Sequence, residues 1–92
     1  MTLGEQIRMA RLSRRIGLRE LARDVGRSSS MLSRIEAGEV RPGVDLVQRL
    51  AAVLGLDADA LYCAAGHIPP DLAARLSDPT TCRAVRDLLK SA

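Results

Sequence analysis

Glycine interrupts this chain about every ten residues, at positions 17, 26, 38, 55 and 66, and prolines follow at 42, 69, 70 and 79. No stretch between these breaks shows the alternating period of a half-buried strand. There is no internal repeat, low-complexity tract or long linker. The chain therefore reads as a series of short helices joined by tight turns, an all-α protein.

Each break can be matched to a helix boundary. The first helix is predicted from Leu3 to Arg15, with Leu3, Ile7 and Ala10 on one face and Leu12 off it. Gly17 opens a second helix, Leu18 to Val25, and Gly26 ends it. Ile16 and Leu21 occupy the positions of a hydrophobic staple. Ser28 caps a third helix that runs to Ala37 and stops at Gly38. Pro42 separates this helix from a fourth, Val44 to Leu54, in which Leu46, Leu50 and Leu54 stack at i+4 spacing. Asp57 caps a fifth, ending at Ala65. Pro69-Pro70 introduces a short helical stretch through Leu76. Asp78-Pro79 forms the cap and first position of a last helix, Thr80 to Lys90, with a face of Cys82, Val85, Leu88 and Leu89.

Ninety-two residues with one Tyr and no Phe or Trp make one modest core of Leu, Ile, Val, Ala and Met. No run approaches the ~18 apolar residues of a membrane span. Met1–Glu5 lacks the basic lead-in of a secretory signal, so a soluble, cytoplasmic protein is expected. Cys63 and Cys82 match no zinc spacing and His67 is the only histidine, so no metal site or cofactor is expected. Two reduced thiols or an intermolecular redox pair both fit these cysteines. Nothing resembles a nucleophile-base set or a glycine-rich phosphate loop, so the chain is not read as an enzyme.

Charge is unevenly placed. Residues 1–42 carry nine Arg against five acids, whereas residues 43–92 carry five bases against six Asp. A basic first half suits a polyanion, although a solvated Arg-rich face would look the same. The pair of helices around Gly26 narrows the choice. Leu21, Ala22 and Val25 on one helix and Leu32 and Ile35 on the next face inward, which is the helix-turn-helix pattern. With Ser29 set to zero at about 100° per residue, Ser29, Ser33, Ala37, Ser30 and Arg34 cover an arc of roughly 0° to 140°. Met31, Ile35, Leu32 and Glu36 cover roughly 200° to 340°. The outer strip is small hydroxyls and Ala with one long cation. Such a strip is either a plain solvated face or a surface shaped to enter the major groove, where Arg can pair with guanine.

The sequence resembles the lambda-repressor/Cro-type helix-turn-helix family, the XRE family, from Leu3 to about Leu54. The similar segments are Leu3-Gly4-Glu5-Gln6-Ile7-Arg8, Glu20-Leu21-Ala22-Arg23-Asp24-Val25-Gly26, Leu32-Ser33-Arg34-Ile35-Glu36-Ala37-Gly38, Arg41-Pro42 and Leu50-Ala51-Ala52-Val53-Leu54-Gly55. Leu61 to Leu76 is more weakly similar to an extension found in some members. The resemblance implies a five-helix lambda-repressor-like DNA-binding domain over residues 1–66, with a short C-terminal helical extension over 67–92. It implies that Ser29, Ser30 and Arg34 face base edges, with Ser33 beside them. Ser28 would cap the reading helix and approach a phosphate, and Arg41 and Arg19 would hold the backbone on either side. Arg11 and Glu36 would form a structural ion pair. Two features depart from the family: Gly17-Leu18 stand where a polar cap and Gln are common, and three serines replace long amides. Shape and water-mediated contacts are then expected to supply more of the specificity.

The expected partner is double-stranded DNA, read as a palindrome by a homodimer with half-sites ~34 Å apart. The expected function is a transcriptional regulator, a repressor, at the nucleoid of a prokaryote or in a phage. The last helix is either a dimer contact or a helix that packs back on its own domain. The alternative class is an antitoxin that binds a toxin partner and regulates its own operon.

Overall fold

A computed structural model describes residues 1–91; residue 92, the last of the expected extension, lies outside them. Seven helices and no strand occur among the described residues: α1 (Leu3–Ser13), α2 (Leu18–Val25), α3 (Ser29–Glu36), α4 (Val44–Leu54), α5 (Ala58–Ala64), α6 (Pro70–Leu76) and α7 (Pro79–Ser91). The molecule is a small all-α domain, elongated at 45 × 23 × 23 Å.

α1 to α5 form one packed body around α4. This central helix buries Leu46, Val47, Leu50, Ala51 and Leu54, and it packs against α1, α2 and α5. The rest of the core is Ile7, Leu21, Ala22, Val25, Leu32, Ile35, Leu61, Tyr62 and Ala65. The lone aromatic, Tyr62, is thus in the core. The i+4 stack of α4 reaches the centre because both neighbouring turns of the helix face the same wall. Burial of each such Leu stabilises the body by about 1.5–3 kcal/mol. Among the described residues no polar or charged one is buried. Leu12, which falls off the inner face of α1, is 54% exposed.

α1 is two residues shorter than its periodicity predicts. Arg14 is its C-cap, and Arg15 takes a left-handed φ of 56°. The Ile16 N–H then bonds back to the Arg11 carbonyl at 3.0 Å, closing the helix as the Arg27 N–H closes α2 onto Ala22. Glycine normally fills such a position, and α2 has Gly26 there at φ 70°. The chain at Arg14-Arg15 contains no glycine, so the sequence gives no sign of this stop.

α6 and α7 pack on each other as a hairpin and bury none of their residues. Buried Pro69 and half-buried His67 join this hairpin to the body. The His67 Nε2–H donates to the Pro42 carbonyl at 2.8 Å, so the link into α6 is tied to the loop after α3. Of the two alternatives for the last helix, packing back into its own core is not what the fold shows: Leu88 and Leu89 are 70% and 71% exposed.

Candidate nucleic-acid interface

α3 is held from three sides. Leu32 and Ile35 sink into the core, α2 packs along one flank, and α1 crosses close to its C-terminal end. Gly4 permits that crossing. A Cβ on Gly4 would lie 2.8 Å from the Ile35 carbonyl oxygen and would clash with the Glu36 carbonyl as well. The approach is thus backbone to backbone, with no flexible side chain to yield.

Arg11 reinforces the same junction. Its Nε and Nη2 donate to the two carboxylate oxygens of Glu36 at 2.8 and 3.0 Å, and its Nη1 donates to the Ile16 carbonyl at 3.1 Å. One guanidinium therefore ties α1, α3 and the turn before α2 together in a two-pronged pair. Hydrogen bonding to Glu36 raises the Arg11 pKa above its ordinary value, against a smaller opposing effect of burial. Arg11 is thus occupied within the fold. At the far end of α2, Arg49 donates to the Val25 carbonyl at 3.2 Å and supplies a cation to that helix C-terminus.

The outward arc of α3 is presented as the sequence predicts. Ser30, Ser33, Arg34 and Ala37 are exposed, and Ser29 is half-buried. Ser28 is the N-cap: its Oγ accepts from the Met31 N–H at 3.2 Å and lies 3.3 Å from the Ser30 Oγ. The Arg34 Nε sits 3.6 Å from a Glu39 carboxylate oxygen, both side chains about 60% exposed. An exposed pair of this kind is worth roughly 0–1 kcal/mol, so Arg34 is free to exchange it for another acceptor.

The flanking arginines are placed differently. Arg19 projects from the first turn of α2, exposed, behind an N-cap, Gly17, that offers no side-chain acceptor. Arg41 is exposed in the loop between α3 and α4, beside the Pro42 carbonyl that His67 holds. Its guanidinium lies back over Gly66, where a Cβ would meet Nη1 at 3.2 Å. Arg41 shares a concavity of about 370 Å³ with Arg27, Met31, Ile35 and Val44.

Three residues around this surface escape a reading of the sequence. Gly4 is missed because its role depends on a carbonyl thirty-odd positions away. His67 is missed because a lone histidine has no periodic partner. Arg8 is missed because it looks like one more exposed cation on α1. It lines a depression of about 280 Å³ with Arg11, Leu18, Ser33, Glu36 and Ala37. Among the described residues there is no cluster able to hold a metal ion, and no helix long and apolar enough to cross a membrane.

Residues 2–61 match the family described as helix-turn-helix domain. An uncharacterized HTH-type transcriptional regulator of Mycobacterium tuberculosis strain H37Rv is 32% identical over 75 residues, 82% of this chain and 54% of that protein. The uncharacterized HTH-type transcriptional regulator RghRB of Bacillus subtilis strain 168 is 39% identical over 66 residues, 71% of this chain and 48% of that one. The chain thus spans about half the length of the curated relatives it matches. No solved structure matches it.

Proposed function

The chain belongs to the helix-turn-helix domain family, and from that premise we propose that it is a sequence-specific transcriptional regulator of the lambda-repressor/Cro (XRE) type. It acts in the cytoplasm, at the nucleoid, as a repressor that reads a palindromic operator as a homodimer. Residues 1–66 bind DNA, and residues 67–92 bring two copies together.

The observation that carries this reading is the two-sided character of α3. Its inner face is locked by Leu32, Ile35 and the Arg11–Glu36 pair, while its outer arc is free and small-sided. A helix with Ser29, Ser30, Ser33 and Ala37 outward can sit deep in a major groove about 12 Å wide. Arg34 is the one long side chain on that arc and takes the base-reading role, by a bidentate pair with guanine. Ser28 with the first N–H groups of α3, Arg19 and Arg41 take phosphates. Arg11 and Glu36 hold the frame and do not touch DNA.

Selection of bound duplexes from a random pool tests the reading. A palindrome with half-sites about one helical turn apart is expected. On the selected duplex, Arg34→Ala should cost ~1–3 kcal/mol and relax one base position. Equal loss on selected and random DNA would remove Arg34 from the reading face. Arg41→Ala should weaken every sequence and flatten the salt dependence by about one unit.

The uncovered apolar face of α7 favours an interaction role for the hairpin, and a second reading uses it for another protein. In that reading the chain is an antitoxin that autoregulates its operon. Sedimentation of the purified chain separates the two: a dimer supports the repressor, and a monomer that pairs only with a co-expressed toxin supports the alternative.

A further inference from the structure

We propose that Arg8 of α1 is a phosphate anchor for duplex DNA, lying on the opposite flank of α3 from Arg41. The inference rests on the DNA-binding reading above and adds to it a contact from outside the helix-turn-helix.

The depression at the junction of α1, α2 and α3 is lined by Arg8, Arg11, Leu18, Ser33, Glu36 and Ala37. Ser33 and Ala37 belong to the exposed outer strip of α3, so the depression lies alongside that strip. Two guanidiniums and one carboxylate meet there. Glu36 gives both of its oxygens to Arg11. Arg8 makes no ion pair and no side-chain hydrogen bond among the described residues, and it is exposed. The site therefore keeps one uncompensated positive charge. Its remaining walls are Leu18, Ala37 and the Ser33 hydroxyl, none of which repels an anion.

The position of this charge around α3 identifies the anion. On the helical wheel, Ser33, Glu36 and Ala37 lie at roughly 40°, 340° and 80°. Met31 and Ile35, which share the other concavity with Arg27 and Arg41, lie at roughly 200° and 240°. The reading arc of roughly 0° to 140° is thus bracketed by Arg8 on one edge and by Arg27 and Arg41 on the other. A helix laid in a major groove has a phosphate strand along each edge. Arg19 stands on the first turn of α2 but does not line this depression, whose walls apart from the two arginines and Glu36 are Leu18, Ala37 and Ser33. Arg8 supplies the free charge there, at a point where Arg11 is fully engaged.

The test measures binding of the full chain to a selected duplex of about 20 base pairs, and to a scrambled one, across a range of NaCl concentrations. Arg8→Ala should lower the slope of log K against log salt by about one, and should weaken both duplexes alike, by about threefold to tenfold near physiological salt. Arg8→Lys should restore most of the slope, because the point charge remains. Thermal unfolding of Arg8→Ala should match the parent, since the side chain holds nothing in the fold. A slope unchanged in Arg8→Ala but reduced in Arg41→Ala would overturn the role of Arg8 and leave the DNA-binding reading standing. Loss on the selected duplex alone would make Arg8 a base reader and overturn the phosphate assignment. Absence of salt-dependent duplex binding by the parent chain would overturn both.

Discussion

The body formed by α1–α5 and the hairpin formed by α6–α7 share the same building rules but not the same source of stability. Both are short helices with helix-period apolar positions, and both include helices capped by Ser, Thr or Asp: Thr2, Ser28 and Asp57 in the body and Asp78 in the hairpin. In the body, every inward position meets another helix, and fourteen apolar residues are buried. In the hairpin, none is buried, although Leu72, Val85, Leu88 and Leu89 are as apolar as any core residue. Amphipathicity is therefore only half of a folding instruction. A helix face becomes a core when the chain can bring a second face to it, and seven residues of α6 are too few to cover thirteen of α7.

The sharpest test of this contrast is a matched pair of truncations. Leu50→Ala removes a fully buried side chain from the centre of α4 and should lower stability by about 2–5 kcal/mol. Leu88→Ala should change it by less than about 0.5 kcal/mol in dilute protein. Urea denaturation at low concentration measures both. A comparable loss for Leu88→Ala in monomeric protein would break the contrast, because that side chain would then be packed within its own chain.

Gly4→Ala probes the tightest point of the body. It forces a methyl group against two backbone carbonyls and should cost about 1–3 kcal/mol by thermal unfolding. If the melting temperature holds, the α1–α3 crossing can slide, and the body is less rigid than its packing implies. Arg15→Gly should move stability the other way, by about 0.5–1 kcal/mol. It relieves a left-handed side chain at a helix stop, at some cost in unfolded-state entropy.

The smallest effect is expected in the hairpin. The hydroxyl of Thr81, then its N–H and that of Thr80, hold the Asp78 carboxyl below its ordinary pKa. A lowered folded pKa means that the cap is fully effective above the usual carboxylate range of about 4. Its contribution fades as pH falls through the lowered value. Protection of the Thr80 and Thr81 amides, measured relative to their intrinsic exchange rates, should therefore fall in acid, and in Asp78→Asn that fall should disappear. Persistence of the fall in the variant would assign it to another group.

Most of the body was legible from residue order. The limits of α2 and α4 follow from Gly17, Gly26, Pro42 and Gly55, and the buried set of α2 and α3 follows from helical spacing. The outer strip of α3 was legible for the same reason, apart from the half-burial of Ser29. What escaped depends on contacts remote in sequence: the close approach at Gly4, the tether from His67 to Pro42, and the depression beside Arg8. The early stop of α1 escaped because an arginine stands where the turn geometry favours glycine. The placement of α7 was open in the sequence because an amphipathic helix does not specify what covers it.

The recurrent back-bonded turn that closes the helices has a kinetic consequence. Each helix of the body ends by folding the chain straight back, so α2 meets α3 and α4 meets α5 with only a few residues between them. The remaining contacts join helices two or three places apart. Loop closure then costs little at any step. A topology made of such near neighbours places the body among domains that fold in about microseconds to milliseconds. Stopped-flow or temperature-jump relaxation should find the main folding phase in that range.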